Sequence, residues 1–107
     1  MTPERAIQNQ ICSYLKLKGA LVFIHDSVGI FDPARGVFRR NSSPHRLRGV
    51  ADLLGIYKGR PLAVEVKTKT GRVSPHQKEF LENWVKAGGI GFVARSVEDV
   101  IDALSGI

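Results

Sequence analysis

Asp52-Leu53-Leu54-Gly55-Ile56-Tyr57-Lys58-Gly59-Arg60-Pro61-Leu62-Ala63-Val64-Glu65-Val66-Lys67-Thr68 reads as two short apolar β-runs joined by a tight connection. Lys58-Gly59-Arg60-Pro61 supplies the turn, so residues 62 to 68 return antiparallel to 52 to 57. Strand side chains alternate faces: Leu62, Val64 and Val66 share one side, Glu65 and Lys67 the other. Glu and Lys are rarely buried unless paired or bound to something. A carboxylate and an ammonium on one face of an apolar run, beside a second carboxylate at Asp52, point to a metal site with a cationic assistant. A solvated ion pair on a strand edge is the alternative reading of the tripeptide alone.

Outward from this hairpin the chain alternates helix and strand signals. Thr2 is a good N-cap and Pro3 stands where a missing N–H costs nothing. Ile7, Ile11, Cys12, Tyr14 and Leu15 then give the stripe of a helix over about 3 to 18, stopped by Gly19. Ala20 to His25 is β-rich and short enough for a buried strand. Between Asp26 and Gly49 repeated Gly and Pro break the pattern, leaving a long loop in which residues 36 to 40 fit a small strand or arm. Ser74-Pro75-His76-Gln77 is a capping box for a second helix whose stripe is Phe80, Leu81, Trp84 and Val85. Gly88-Gly89 ends that helix. Residues 90 to 94 give a further strand, and Ser96 caps a last short helix with Val97, Val100, Ile101 and Leu104. The expected class is α/β: one mixed sheet flanked by helices, in a single domain.

Composition sets limits. The 107 residues suit one core, and 43% apolar with 24% charged residues reads as globular. Cys12 is the sole cysteine, which excludes an internal disulfide or a cysteine-based zinc site. No apolar run approaches a membrane span, and nothing resembles a signal-peptide core, so a cytoplasmic location is expected. The net charge is +6, and no acidic residue falls between Asp32 and Asp52, where Arg35, Arg39, Arg40, Arg46 and Arg48 are gathered. Arginine's planar fork suits phosphate contact, so this block favours a polyanion; a solvated loop is the alternative. Lys69 and Arg72 read either way.

Hydrolysing a phosphodiester needs an activated water and relief of negative charge on the phosphoryl and leaving oxygens. Carboxylate-held Mg²⁺ or Mn²⁺ meets both needs, and a nearby lysine can orient the water or help deprotonate it. Asp52 and Glu65 can meet across the hairpin ladder as two oxygen ligands, with the Val66 backbone carbonyl as a third. Lys67 lies about 7 Å along the strand from Glu65, within reach of its long side chain.

Asp52, Glu65 and Lys67 reproduce the D…(D/E)-x-K signature, so the chain resembles the PD-(D/E)xK nucleases. The longer line Gly49-Val50-Ala51-Asp52-Leu53-Leu54-Gly55-Ile56, Leu62-Ala63-Val64-Glu65-Val66-Lys67, Gly71-Arg72-Val73-Ser74-Pro75-His76-Gln77 and Gly88-Gly89 is similar to the VRR-NUC (virus-type replication-repair nuclease) branch. The likeness covers nearly the whole chain, including Glu4 and Gln8; Ala51 departs from it, since the family often carries proline there. The resemblance implies a restriction-endonuclease-like αβββαβ core over residues 1–107. It also implies a homodimeric, metal-dependent endonuclease acting on DNA, branched or four-way DNA above all. It makes Gln77 an active-site residue, where the capping box alone would also explain it. It brings Glu4 to the metal site, where the helix dipole alone would also explain a first-turn acid. A non-catalytic nucleic-acid-binding module, or a nuclease subunit targeted by a partner protein, are the rival readings.

Overall fold

The computed structural model describes residues 1–26, 30–39 and 44–107. Helix α1 (Pro3–Leu17) starts where Thr2 accepts a hydrogen bond from the Arg5 N–H, and Gly19, at φ +87°, turns the chain away from it. Strand β1 (Leu21–Ile24) follows, then a small antiparallel pair, β2 (Ile30–Asp32) and β3 (Val37–Arg39). Strands β4 (Leu53–Tyr57) and β5 (Arg60–Val66) form the expected hairpin, succeeded by α2 (Pro75–Lys86), β6 (Ile90–Ala94) and α3 (Val97–Leu104). The main sheet runs β1-β4-β5-β6; its first two pairings are antiparallel and the β5–β6 pairing is parallel. Three helices on a four-stranded mixed sheet match the architecture read from the sequence.

The hairpin turn is tighter than expected. Tyr57 pairs with Arg60, leaving only Lys58 and Gly59, both at positive φ, as the loop. Two such residues give the twist that right-handed strands favour. Pro61 therefore lies inside β5, one residue before the parallel pairing to β6 begins at Leu62. Backbone alternation turns its missing N–H away from β4, so the hairpin loses no ladder bond.

The two sides of the sheet are packed unequally. Leu62, Val64 and Val66 of β5 join Ile11, Leu15, Leu53 and Val100 in a large core under α1 and α3. The other side carries Ala51 and Ala63 against Phe80 and Leu81 of α2. Small residues there let α2 lie close to the sheet: a Cβ on Gly91 would stand 3.3 Å from Leu81 and Trp84. Strand β1 is an edge strand, not a buried one, because α2 covers β5 and β6 instead. Its outer side chains Leu21 and Phe23 are 69% and 55% exposed. Val85 and Ile101, expected in helix stripes, are also largely exposed, since each helix buries a narrower face than its periodicity allows. The pairing of β2 with β3 gives the expected 36–40 arm a partner that loop punctuation concealed.

Gly49 sets the approach of α2. Its φ is +69°, and a Cβ there would fall 2.3–2.5 Å from the backbone of His76 and Gln77. Both left-handed geometry and contact with the first turn of α2 thus require glycine. Gly49→Ala should cost at least about 2 kcal/mol in urea unfolding, whereas Gly19→Ala, with open space around it, should cost about 1 kcal/mol from positive φ alone. Equal losses at the two positions would show that the α2 contact carries no weight.

Candidate active site

The site forms where the hairpin ladder stops. The last backbone pair is Leu53 with Val64, and the next would set Asp52 opposite Glu65. There the two strands exchange side-chain bonds instead. The Val66 N–H donates to Asp52 Oδ2 at 2.9 Å, and the Asp52 N–H donates to Glu65 Oε2 at 3.3 Å. From the other side the His25 N–H donates to the Asp52 carbonyl at 2.7 Å. Asp52 is therefore held by β1 through its carbonyl and by β5 through its N–H and its carboxylate.

Glu65 is 1% exposed. Gln77 Nε2 donates to its Oε1 at 2.7 Å, and Lys67 Nζ stands 3.5 Å from the same oxygen. Burial, and then the facing Asp52 charge, push the Glu65 carboxyl from the usual 4.5 up to about 7, even though Lys67 pulls the other way. Two carboxylates thus confront one ammonium in a water-poor place. That charge pattern fits a divalent cation, and oxygen donors of this kind are what Mg²⁺ and Mn²⁺ take.

Gln77 closes the helix cap and meets Glu65 at the same time. Its Oε1 accepts from the Ser74 N–H at 2.9 Å while its own N–H donates to Ser74 Oγ, completing the capping box. With Oε1 committed to the cap, only the amide nitrogen is left to face Glu65. The helix cap thereby fixes which end of the amide meets the carboxylate.

Arg95 escaped the sequence reading. Its guanidinium donates to the carbonyls of Thr68 and Gly71, at 2.6 and 2.7 Å, and so clamps the segment after Lys67. The signal for it was the parallel β5–β6 pairing, which puts the residue following one strand beside the segment following the other.

Glu4 does not join Asp52 and Glu65. Among the described residues no three acidic, histidine or cysteine side chains form a metal-holding group. Glu4 instead lines a cleft of about 330 Å³ with Gln8 and Thr68. Gln8 is 6% exposed, and its Oε1 finds no partner among the described residues. Of the arginine block, Arg35, Arg46 and Arg48 are exposed, Arg39 lends its backbone to β3, and Arg40 lies outside the described residues. Lys69 and Arg72 are exposed on the segment that Arg95 holds.

The VRR-NUC domain family matches residues 32–98, and the chain belongs to that family. Membership points to a nuclease of the PD-(D/E)xK type with DNA as substrate. A solved VRR_NUC domain is 27% identical and superposes with a TM-score of 0.67, covering 99% of this chain and 98% of its own. A second solved structure, a VRR_NUC domain protein, shares the fold at 21% identity and a TM-score of 0.57, over 97% of this chain and 86% of its own. No curated protein matches the chain. Among the described residues no helix is long and apolar enough to cross a membrane.

The raised Glu65 carboxyl has a consequence for stability. Between its usual 4.5 and about 7 the folded chain keeps a proton that the unfolded chain has lost. Metal-free stability should therefore fall as pH rises through that window, by on the order of 2–3 kcal/mol. Glu65→Gln should flatten the profile, and Mg²⁺ should raise the thermal midpoint more at pH 8 than at pH 5.5. A wild-type profile as flat as that of the variant would remove the charge conflict from the account.

Proposed function

We propose that the chain is a divalent-metal-dependent endonuclease that hydrolyses phosphodiester bonds in DNA. The observation that carries the reading is the pairing of buried Glu65 with partly buried Asp52 at the open end of the hairpin, with Lys67 Nζ beside Glu65. Asp52 and Glu65 would hold Mg²⁺ or Mn²⁺. The Val66 carbonyl would help, because ladder alternation turns it to the same side as the Val66 N–H that meets Asp52. When bound, the metal supplies charge relief at the phosphoryl oxygens and acidity to the attacking water. Lys67 Nζ orients that water and assists its deprotonation. Gln77 holds Glu65 in position through its amide. Glu4 stands apart from this pair, in the cleft it shares with Gln8 and Thr68. A binding module without catalysis has no use for two facing carboxylates, one of them buried, near phosphate.

Asp52→Asn and Glu65→Gln should each abolish cleavage while preserving the fold, and metal-free DNA binding should persist or tighten. Lys67→Ala should lower turnover by about 10²-fold or more. Lys86→Ala, on the outer side of α2, should leave it within a factor of about two, the ordinary range for a surface change. The test is cleavage of linear, flapped and four-way DNA with Mg²⁺, Mn²⁺ or EDTA. Wild-type rates in either carboxylate variant would refute the site.

The substrate proposed is branched DNA, cut by a homodimer, because two symmetric nicks need two sites related by one two-fold axis. The exposed arginines would follow the arms of the junction. An apolar surface suited to a second copy exists on the α2 side of the sheet: Leu21 pairs with Ile56, and Phe23 lies two residues on. These side chains are 69%, 50% and 55% exposed. Phe23→Glu should convert a dimer into a folded monomer in sedimentation, and paired nicking of four-way DNA should be lost with it. A strictly monomeric wild type would overturn the assembly and leave the nuclease reading intact.

A further inference from the structure

A second, larger cleft of about 530 Å³ lies between α2 and the Arg46–Arg48 segment. That volume is within the roughly 300–1,000 Å³ of sites that enclose small organic groups. The half-buried Trp84 lines it, with the buried Phe80 ring stacked behind at a centroid distance of 5.4 Å. Asn83 and Glu79 add polar groups from the same helix, and Arg46, Arg48 and His76 add basic ones. All of these polar and basic side chains are exposed. Two covalent neighbours tie the cleft to the candidate active site. His76 precedes Gln77, whose amide touches Glu65. Arg48 precedes Gly49, which packs on the backbone of His76 and Gln77.

We infer that this cleft is a base-binding subsite, taking an unpaired nucleobase next to the phosphate presented to Asp52 and Glu65. The inference rests on the nuclease reading for the position of that phosphate. Aromatic surface accepts any base by stacking, and the Asn83 amide can both donate to and accept from a base edge. Arginines and a histidine outnumber the single carboxylate, which suits the phosphates flanking such a base. A base within intact duplex is stacked and paired and cannot enter. The cleft therefore selects DNA with an unpaired nucleotide beside the scissile bond, as at a flap, a junction point or a strand end.

Trp84 is the only tryptophan in the chain, so its emission reports the cleft directly. In EDTA, short oligothymidylate should quench it, while blunt duplex at equal phosphate concentration should not. An abasic oligonucleotide of the same length should bind at least about 5-fold more weakly, since one stacked base contributes about 1–3 kcal/mol. Replacing Phe80 or Trp84 would disturb the core, so the cleft is filled from its exposed rim instead, by Ala87→Leu. That variant should weaken oligothymidylate by a similar factor with an unchanged thermal midpoint and unchanged abasic binding. Equal affinity for abasic and thymidylate strands, or quenching insensitive to Ala87→Leu, would overturn the subsite. Parallel cleavage assays with Mn²⁺ separate the two readings. Base-dependent quenching without cleavage supports the subsite and sinks the nuclease reading; cleavage without base-dependent quenching does the reverse.

Discussion

A carboxylate with almost no access to water is costly, and this fold places a second carboxylate opposite it. Glu65 and Asp52 are held in place because each side chain accepts a backbone N–H from the opposite strand: Asp52 from Val66, and Glu65 from Asp52. The ladder ends at Leu53 and Val64. Beyond it the Val66 N–H would be left without an acceptor, and the Asp52 side chain supplies one; Glu65 does the same for the Asp52 N–H. The pair thus closes the end of a sheet and gathers negative charge in one act. Hydrogen bonds secure the geometry but do not neutralise the charge, which is why the Glu65 carboxyl stays near 7. The residual conflict is what a cation would remove.

Everything packed around the pair serves to keep it in register. Gly49 admits the first turn of α2, the capping box orients Gln77, and Gln77 reaches Glu65. The parallel strand β6 accepts the Lys67 N–H at the Ala94 carbonyl, which continues the sheet on the side away from β4. Arg95 then ties down the segment that follows. Strand β6 therefore holds Glu65 to Lys67 from one side, while the first turn of α2 reaches Glu65 from the other. Rigid elements hold such a constellation more closely than loops do.

The hairpin, both capped long helices and the pairing of Asp52 with Glu65 were legible in the sequence, because local rules govern them: alternation, turn chemistry and the N-cap pattern. Asp52 and Glu65 face each other through hairpin register, which a short turn nearly determines. What stayed hidden depends on parts of the chain far apart in sequence. The exposure of Leu21 and Phe23 follows from which strands α2 covers, and no pattern inside β1 records that. Arg95 becomes a clamp only through a parallel crossover. Gln77 looked like a choice between cap and site because a one-dimensional reading treats an amide as a single group. In space its two ends act separately.

The unequal faces of the sheet follow from the same constraint. The side under α1 and α3 holds the large aliphatic side chains and the bulk of the buried apolar surface, which is the dominant stabilising term. The opposite side uses Ala51, Ala63 and Gly91, so α2 can settle close enough for Gln77 to reach the sheet. Larger residues there would bury more area yet lift α2 away, leaving Glu65 without its amide donor. Concentrating stability on one face allows the other to carry a buried charge conflict. The β1–β4 half of that second face is then left without a helix, which is why its apolar side chains stand in solvent.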